Sequence, residues 1–328
     1  MVSLGRRTGE SVDEPGRGGQ RGAGHRARRR LAGGLWPGGR PAAQCAAGRP
    51  RALGGRRLPA RPGLAGGQRV GRRLTMPRYR LTVEYDGRPF VGWQRQDNGL
   101  SVQEALETAA ERLCGQPVRV HGSGRTDSGV HALGQVAHLD LPRAYGAPTV
   151  RKALNAHVRP WPVAVVASQE VDDTFHARFS AVERSYLYRL LNREAPPTLD
   201  QGKVWWVTRP LDAQAMDEAA QVLVGRHDFS SFRASECQAE SPVKTLAALR
   251  VRRVGDEIHV TTRARSFLHH QVRNMVGTLE LVGAGRWTRA DVADALAACS
   301  RAAAGPTAPA EGLYFRAVRY DGEPPLEP

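Results

Sequence analysis

The sequence predicts an α+β fold made of two ferredoxin-like subdomains whose sheets can join. Three observations carry this reading. Apolar residues alternate with polar ones at period two in several short runs, as in half-buried strands. Helical spacing recurs between those runs, bounded by capping and glycine stop signals. The order strand, helix, strand, strand, helix occurs twice along the chain. No self-similarity of residues accompanies that repeat, and one continuous α+β domain would have the same element order.

The first strand is marked by Tyr79, Leu81, Val83 and Tyr85 alternating with polar residues, and Asp86-Gly87 ends it. Ser101 with Glu104 three residues on forms a capping-box pattern. Val102, Leu106, Ala109 and Leu113 follow at helical spacing up to Gly115. Val118 to His121 and Gln135 to Leu141 read as strands, with Gly-Ser-Gly-Arg-Thr-Asp-Ser-Gly-Val-His between them. A short helix is expected over Val150 to Ala156 and a strand over Val163 to Ser168. In the second half, a strand over Ser185 to Leu191 precedes a helix from Asp212 through Met216, Ala219, Ala220 and Leu223 to Gly225. Two strands, Ala247 to Val254 and Glu257 to Ala264, are joined by Gly255-Asp256. The helix after them presents Val272, Met275, Val276, Leu279 and Val282 to the core.

Charge divides the chain unevenly. The formal net charge over 328 residues is +16, which points to a polyanionic partner. Residues 1–75 carry 17 Arg and 3 acidic residues, net +14, leaving +2 for residues 76–328. The same first segment holds 18 of the 36 Gly and no Phe, Tyr or Ile. Such a composition cannot bury enough apolar surface to offset the entropy of ordering. Residues 1–75 are therefore expected to be a disordered Arg/Gly-rich extension, read either as translated sequence ahead of a true start at Met76 or as a nucleic-acid-binding tail. A transit peptide would be Ser-rich, and only two Ser occur there. Residues 76–180 are expected to form an N-terminal subdomain, which carries the Arg125-Thr126-Asp127 loop, and 181–328 a C-terminal one.

Cys45, Cys114, Cys237 and Cys299 form no CxxC pair, which argues against a zinc or thioredoxin-like site and fits a reducing cytoplasm. No run of 18 apolar residues suggests a membrane span. His269-His270 are read as adjacent helical residues, about 100° apart, and so unable to chelate together. Asp127-Ser128-Gly129 is the tripeptide of aspartic proteases, which need two, and no second Asp-Ser/Thr-Gly occurs. Neither a Walker A loop nor a Rossmann glycine fingerprint is present.

The segment SGRTDSGVHALGQVAHLDL, 123–141, places Arg125 and Asp127 on a glycine-flanked loop ahead of a strand. Read alone, it is consistent with a loop-fixing ion pair or with a presented carboxylate. It closely resembles the signature of the tRNA pseudouridine synthase A family, whose RTDxGVH loop carries the catalytic aspartate. RYRLTVEYDGRPFVGWQRQ at 78–96, FHARFSAVERSYLYRLLN at 175–192, DFSSFRASECQ at 228–238, FLHHQVRNMVG at 267–277 and EGLYF at 311–315 are similar to family segments in the same order. Ser128 stands where alanine is common in the family.

The resemblance implies a pseudouridine synthase fold with a mixed, mostly antiparallel sheet and a central cleft. It also implies isomerisation of uridine to pseudouridine in tRNA, at positions 38 to 40 of the anticodon stem-loop, by a homodimer without metal or organic cofactor. Asp127 matches the nucleophile, Tyr186 the active-site tyrosine, which also binds substrate, and Arg273 the active-site arginine. Arg125 matches the substrate-binding arginine of the loop. The chemistry asks for such a set: uracil leaves C1′, turns and reattaches through C5, and a carboxylate can divide that into easier steps by adding to the sugar or the base. A guanidinium keeps the carboxylate ionised. Tyr186 is expected to stack on the extruded base and to help remove the C5 proton.

Reaching a stacked uridine requires flipping it out, at a cost of a few kcal/mol. Arg95, Arg151, Arg159, Arg178, Arg184, Arg233 and Arg265 are candidates for the compensating phosphate contacts. The other reading is a noncatalytic RNA-binding protein on the same scaffold.

Overall fold

The structure, a computed structural model, describes residues 76–326. The extension expected over residues 1–75 lies outside the described residues.

Strand β1 (Arg78–Tyr85) leads through a long loop to helix α1 (Val102–Cys114). Ser101 caps α1 by accepting a hydrogen bond from the Glu104 amide at 3.1 Å. Only half of the predicted capping box forms, because the Glu104 carboxylate faces Arg95 at 3.6 Å. Gly115, at φ 79, ends the helix and donates to Glu111 O at 2.7 Å. Next come β2 (Val120–Gly122), β3 (His131–Asp140), α2 (Ala147–His157) and β4 (Val163–Val171).

The second half opens on β5 (Ala181–Asn192), which extends past the run predicted for it at both ends. β6 (Trp205–Val207) is too short to leave a period in sequence. Helix α3 (Ala213–Ala220) has Asp212 as its predicted cap, but α-helical turns stop five residues before Gly225 and give way to a 3-10 turn over Gln221–Leu223. β7 (Gly225–Asp228), β8 (Val243–Val254), β9 (Glu257–Ala264), α4 (Gln271–Gly283), α5 (Arg289–Ala297) and β10 (Leu313–Tyr320) complete the chain.

One ten-stranded sheet runs β4-β1-β3-β10-β5-β9-β8-β7, with β2 paired to β3 and β6 to β5. Every pairing is antiparallel except β10 with β3 and β5 with β6. The expected sheet is therefore found, and β10, the last strand in sequence, joins its two halves.

That joint is short. β10 pairs with β3 only at Tyr314 with His131 and Phe315 with Ala132. Farther along β3 its partner is β2, with Val120 to Gly122 opposite Leu139 to Ala137, while β10 continues against β5 to Tyr320. The ladder between the halves of the sheet thus stops at Phe315, although the backbones stay close as far as Arg316, whose carbonyl oxygen would lie 2.6 Å from a Cβ on Gly134. The loop from β2 to β3, carrying the RTD motif, lies beside this joint.

Tyr79, Leu81, Val83, Leu106, Leu139 and Leu154 are fully buried in the core of the first half. Each Leu there contributes roughly 2 kcal/mol by its burial. In the second half α4 is enclosed on nearly all sides, and Arg273 is the only one of its thirteen residues that is not buried.

Candidate active site

The backbone around Asp127 is held on both sides by neighbouring elements. Thr126 O accepts from the Trp93 amide at 3.0 Å, and the Thr126 hydroxyl bonds the Tyr85 hydroxyl at 2.8 Å. On the other side, the Ser128 hydroxyl donates to Phe90 O at 3.1 Å. The 90–93 segment approaches so closely that a Cβ on Gly92 would sit 2.6 Å from Thr126 O, and Gly92 has φ +117. Glycine is required there by both space and backbone angle.

The lead-in to the motif is equally fixed. Ser123 O accepts from Arg184 Nη2 at 2.9 Å and Nε at 3.1 Å, and Gly124 O accepts from Gln135 Nε2 at 2.9 Å. A loop that reads as glycine-permissive is therefore a rigid mount.

Three basic side chains converge on the Asp127 carboxylate. Arg273 Nη1 donates to Oδ2 at 3.2 Å, His270 Nε2 lies 3.2 Å from Oδ2, and His269 Nε2 lies 3.3 Å from Oδ1. Arg273 is itself oriented by donating from Nε to Ala308 O at 2.8 Å, while the Ala308 amide donates back to Arg273 O at 3.1 Å. Burial alone would raise the Asp127 pKa, but the hydrogen bond from His270 and the charges of His270, His269 and Arg273 outweigh it. The carboxyl is held below its ordinary value. It is a desolvated but ionised carboxylate, as a nucleophile requires.

Sequence does not reveal the histidine pair, because FLHHQVRNMVG reads as helix and adjacent helical side chains diverge. Instead α4 begins at Gln271, His270 is its N-cap in the left-handed conformation at φ 60, and His269 precedes it. The Gln271 side chain accepts from the Leu268 amide at 2.8 Å and closes this turn. The turn brings the two imidazoles together, with centroids 4.1 Å apart. Asp127, His269 and His270 then present ligand-type atoms within 4.8 Å of one another. The geometric ground for setting a metal aside, helical divergence, does not hold. Arg273 nevertheless places a fixed positive charge on the same carboxylate, which opposes a dication.

Tyr186 is 9% exposed, on the face of β5 that carries Arg184. Phe267 and Phe315 meet it edge-on, with centroids 5.0 and 4.9 Å away. Burial pushes its phenol pKa well up, so the hydroxyl stays protonated at neutral pH.

Arg125 is exposed, and no carboxylate among the described residues pairs with it. The Arg125 to Asp127 loop pair is thus absent, and Arg273 supplies the guanidinium. Of the arginines expected to meet phosphate, Arg184 is buried, with donors spent on Ser123 O, Arg178 O and Arg265 O. Arg233 donates to Cys237 O and Ala239 O, and Arg95 faces Glu104 and Glu107. Arg151, Arg159, Arg178 and Arg265 are exposed.

Comparison with known proteins gives a consistent match. The family described as tRNA pseudouridine synthase matches residues 81–180 and 219–321. A tRNA pseudouridine synthase A of Rhodospirillum rubrum is 76% identical over 248 residues, which cover 76% of this chain and 89% of that protein. One from Paramagnetospirillum magneticum is 65% identical over 245 residues, 75% of this chain and 96% of that one. One from Rhodospirillum centenum is 64% identical over 245 residues, covering 75% of this chain and all of the relative.

Proposed function

The chain belongs to the tRNA pseudouridine synthase family, and we propose that it isomerises uridines 38 to 40 in the anticodon stem-loop of tRNA with Asp127 as the nucleophile. The observation that carries the residue assignment is the ionised Asp127 carboxylate, mounted rigidly and faced by Arg273, His269 and His270.

The reaction starts with a uridine everted from the RNA stack. Asp127 adds to C1′ of the ribose or to C6 of the base, and the N1–C1′ bond breaks. After the uracil turns, C5 bonds to C1′, the C5 proton leaves, N1 gains a proton and Asp127 is released. No electrons are gained or lost. Arg273 keeps the carboxylate charged and oriented, and the imidazoles add to that hold. Tyr186 forms the apolar wall for the base; as a protonated phenol it is suited to donating a hydrogen bond and poorly suited to accepting the C5 proton. Arg125, exposed on the same loop, binds the RNA.

By family resemblance the protein works as a cytoplasmic homodimer, with residues 76–180 and 181–328 as the two subdomains flanking the cleft. No described helix is long and apolar enough to cross a membrane. A noncatalytic RNA binder on this scaffold would gain nothing from a desolvated carboxylate within a basic cluster.

The test is to incubate the protein with unmodified tRNA transcripts and map pseudouridine by mass spectrometry of nuclease fragments. Modification confined to positions 38 to 40 is expected. Binding without any pseudouridine would favour the noncatalytic reading.

A further inference from the structure

Phe179 is 73% exposed, the most exposed aromatic side chain among the described residues. A ring left in water on a mobile loop would need no explanation, but this one stands on a fixed mount. His176 Nδ1 accepts from the amides of Arg178 at 3.1 Å and Phe179 at 3.3 Å, and the Ser180 hydroxyl accepts from the His176 amide at 3.0 Å. Arg78 Nη1 donates to Phe175 O at 2.8 Å, and the Tyr320 hydroxyl to Ala177 O at 2.8 Å. The His176 ring buttresses Phe179, with centroids 4.4 Å apart and planes at 34°.

The location matters as much as the rigidity. Arg184 Nη2 donates to Arg178 O at 2.7 Å and to Ser123 O at 2.9 Å. One buried guanidinium therefore ties the backbone beside Phe179 to the lead-in of the Asp127 loop. It does so where β3 pairs with β2 instead of with β10. Three exposed cations belong to the backbone tied here: the Arg178 guanidinium lies 5.6 Å from the Phe179 ring centroid, Arg265 O accepts a hydrogen bond from Nη1 of the same Arg184, and Arg125 follows Ser123 by two residues. None of the three pairs with a carboxylate among the described residues.

From this we infer that Phe179 is a stacking platform for an unpaired nucleotide of the substrate RNA, one that neighbours the everted uridine and stays outside the catalytic pocket. The inference rests on the RNA-modifying reading above. A preordered ring loses little entropy on binding, every base offers a π-face, and flanking arginines hold the phosphates on either side. A loop of unpaired bases provides such a partner; a continuous duplex does not.

The test measures tRNA affinity and turnover of the full chain with Phe179→Ala, Phe179→Leu and Phe179→Trp. Thermal midpoints should match wild type, since the ring is exposed. Phe179→Ala should weaken tRNA binding on the order of 10-fold while saturated turnover falls less than about twofold. Leu should not restore affinity, whereas Trp should, with its fluorescence quenched by tRNA. Abasic substitutions scanned through the anticodon loop should cost wild type affinity at one position at which Phe179→Ala loses nothing further.

Wild-type affinity in Phe179→Ala, or full rescue by Leu, would overturn the inference. So would a change in oligomeric state with tRNA affinity intact, which would assign the ring to a second copy of the chain. Failure of the isomerase reading would appear separately, as tRNA binding with no pseudouridine formed by wild type.

Discussion

At the scale of single residues, the site is an exercise in keeping a carboxylate charged while water is withdrawn. Arg273→Gln removes the fixed cation at Asp127 Oδ2 but leaves a side chain of similar length. Loss of one such preorganised donor should lower turnover on the order of 100-fold. It should also raise the Asp127 pKa, because a folded-state pKa held down by opposite charge relaxes upward when that charge goes. The acid limb of the single-turnover pH profile should therefore move to higher pH in Arg273→Gln; an unmoved limb would remove Arg273 from that role. Asp127, Arg273, Tyr186 and Arg125 were all identifiable in the sequence through the motifs carrying them. His269 and His270 were in view within FLHHQVRNMVG but not legible as site residues. Their placement depends on a left-handed N-cap at a histidine, and side-chain chemistry gives no local signal for that conformation.

At the scale of elements, periodicity locates the strands that have one wet face, and apolar spacing locates the longer helices, including the enclosed α4. β10 was not assigned from sequence because its residues, LYFRAVRY, are buried in a run at their start instead of alternating. A strand stretch covered on both faces has no such period to read. Helix α4 was legible, yet the tight approach of the 305–308 segment to it was not. A Cβ at Gly277 would overlap Pro306 O and lie 3.1 Å from the Ala308 amide nitrogen, and Ala308 O orients Arg273. Gly277→Ala should therefore destabilise the fold by roughly 1–3 kcal/mol and reduce turnover by displacing Arg273. Denaturant unfolding alongside activity checks both effects.

The packing of β2, β3 and the 175–180 segment carries a pH dependence of its own. His138 is 2% exposed, its Nδ1 accepts from the Ala177 amide at 3.1 Å, and burial foremost lowers its pKa from 6.5 to about 4. Above 6.5 neither folded nor unfolded chain is charged there. Between 6.5 and about 4 the unfolded chain takes up the proton and the folded one does not, so stability falls as pH drops through that window. The loss should reach about 3 kcal/mol at most, and His138→Gln should flatten this part of the stability profile. An equally steep profile in the variant would place the acid sensitivity elsewhere.

At the scale of the molecule, one sheet is shared by two halves whose ladder is joined at two residue pairs of β3 and β10, beside the Asp127 loop. The repeat of elements is compatible with two halves or with one continuous domain, and the single sheet closed through the C-terminal strand needs long-range pairing that no window of sequence contains. This closure brings groups from β5 and the start of α4 to the one carboxylate carried by the β2–β3 loop. The most direct measurement is tritium release from tRNA labelled at uridine C5, compared between wild type and Asp127→Ala. Wild type should release tritium and the variant none, with tRNA affinity kept within a few-fold. Release by the variant at the wild-type rate would contradict a nucleophilic Asp127.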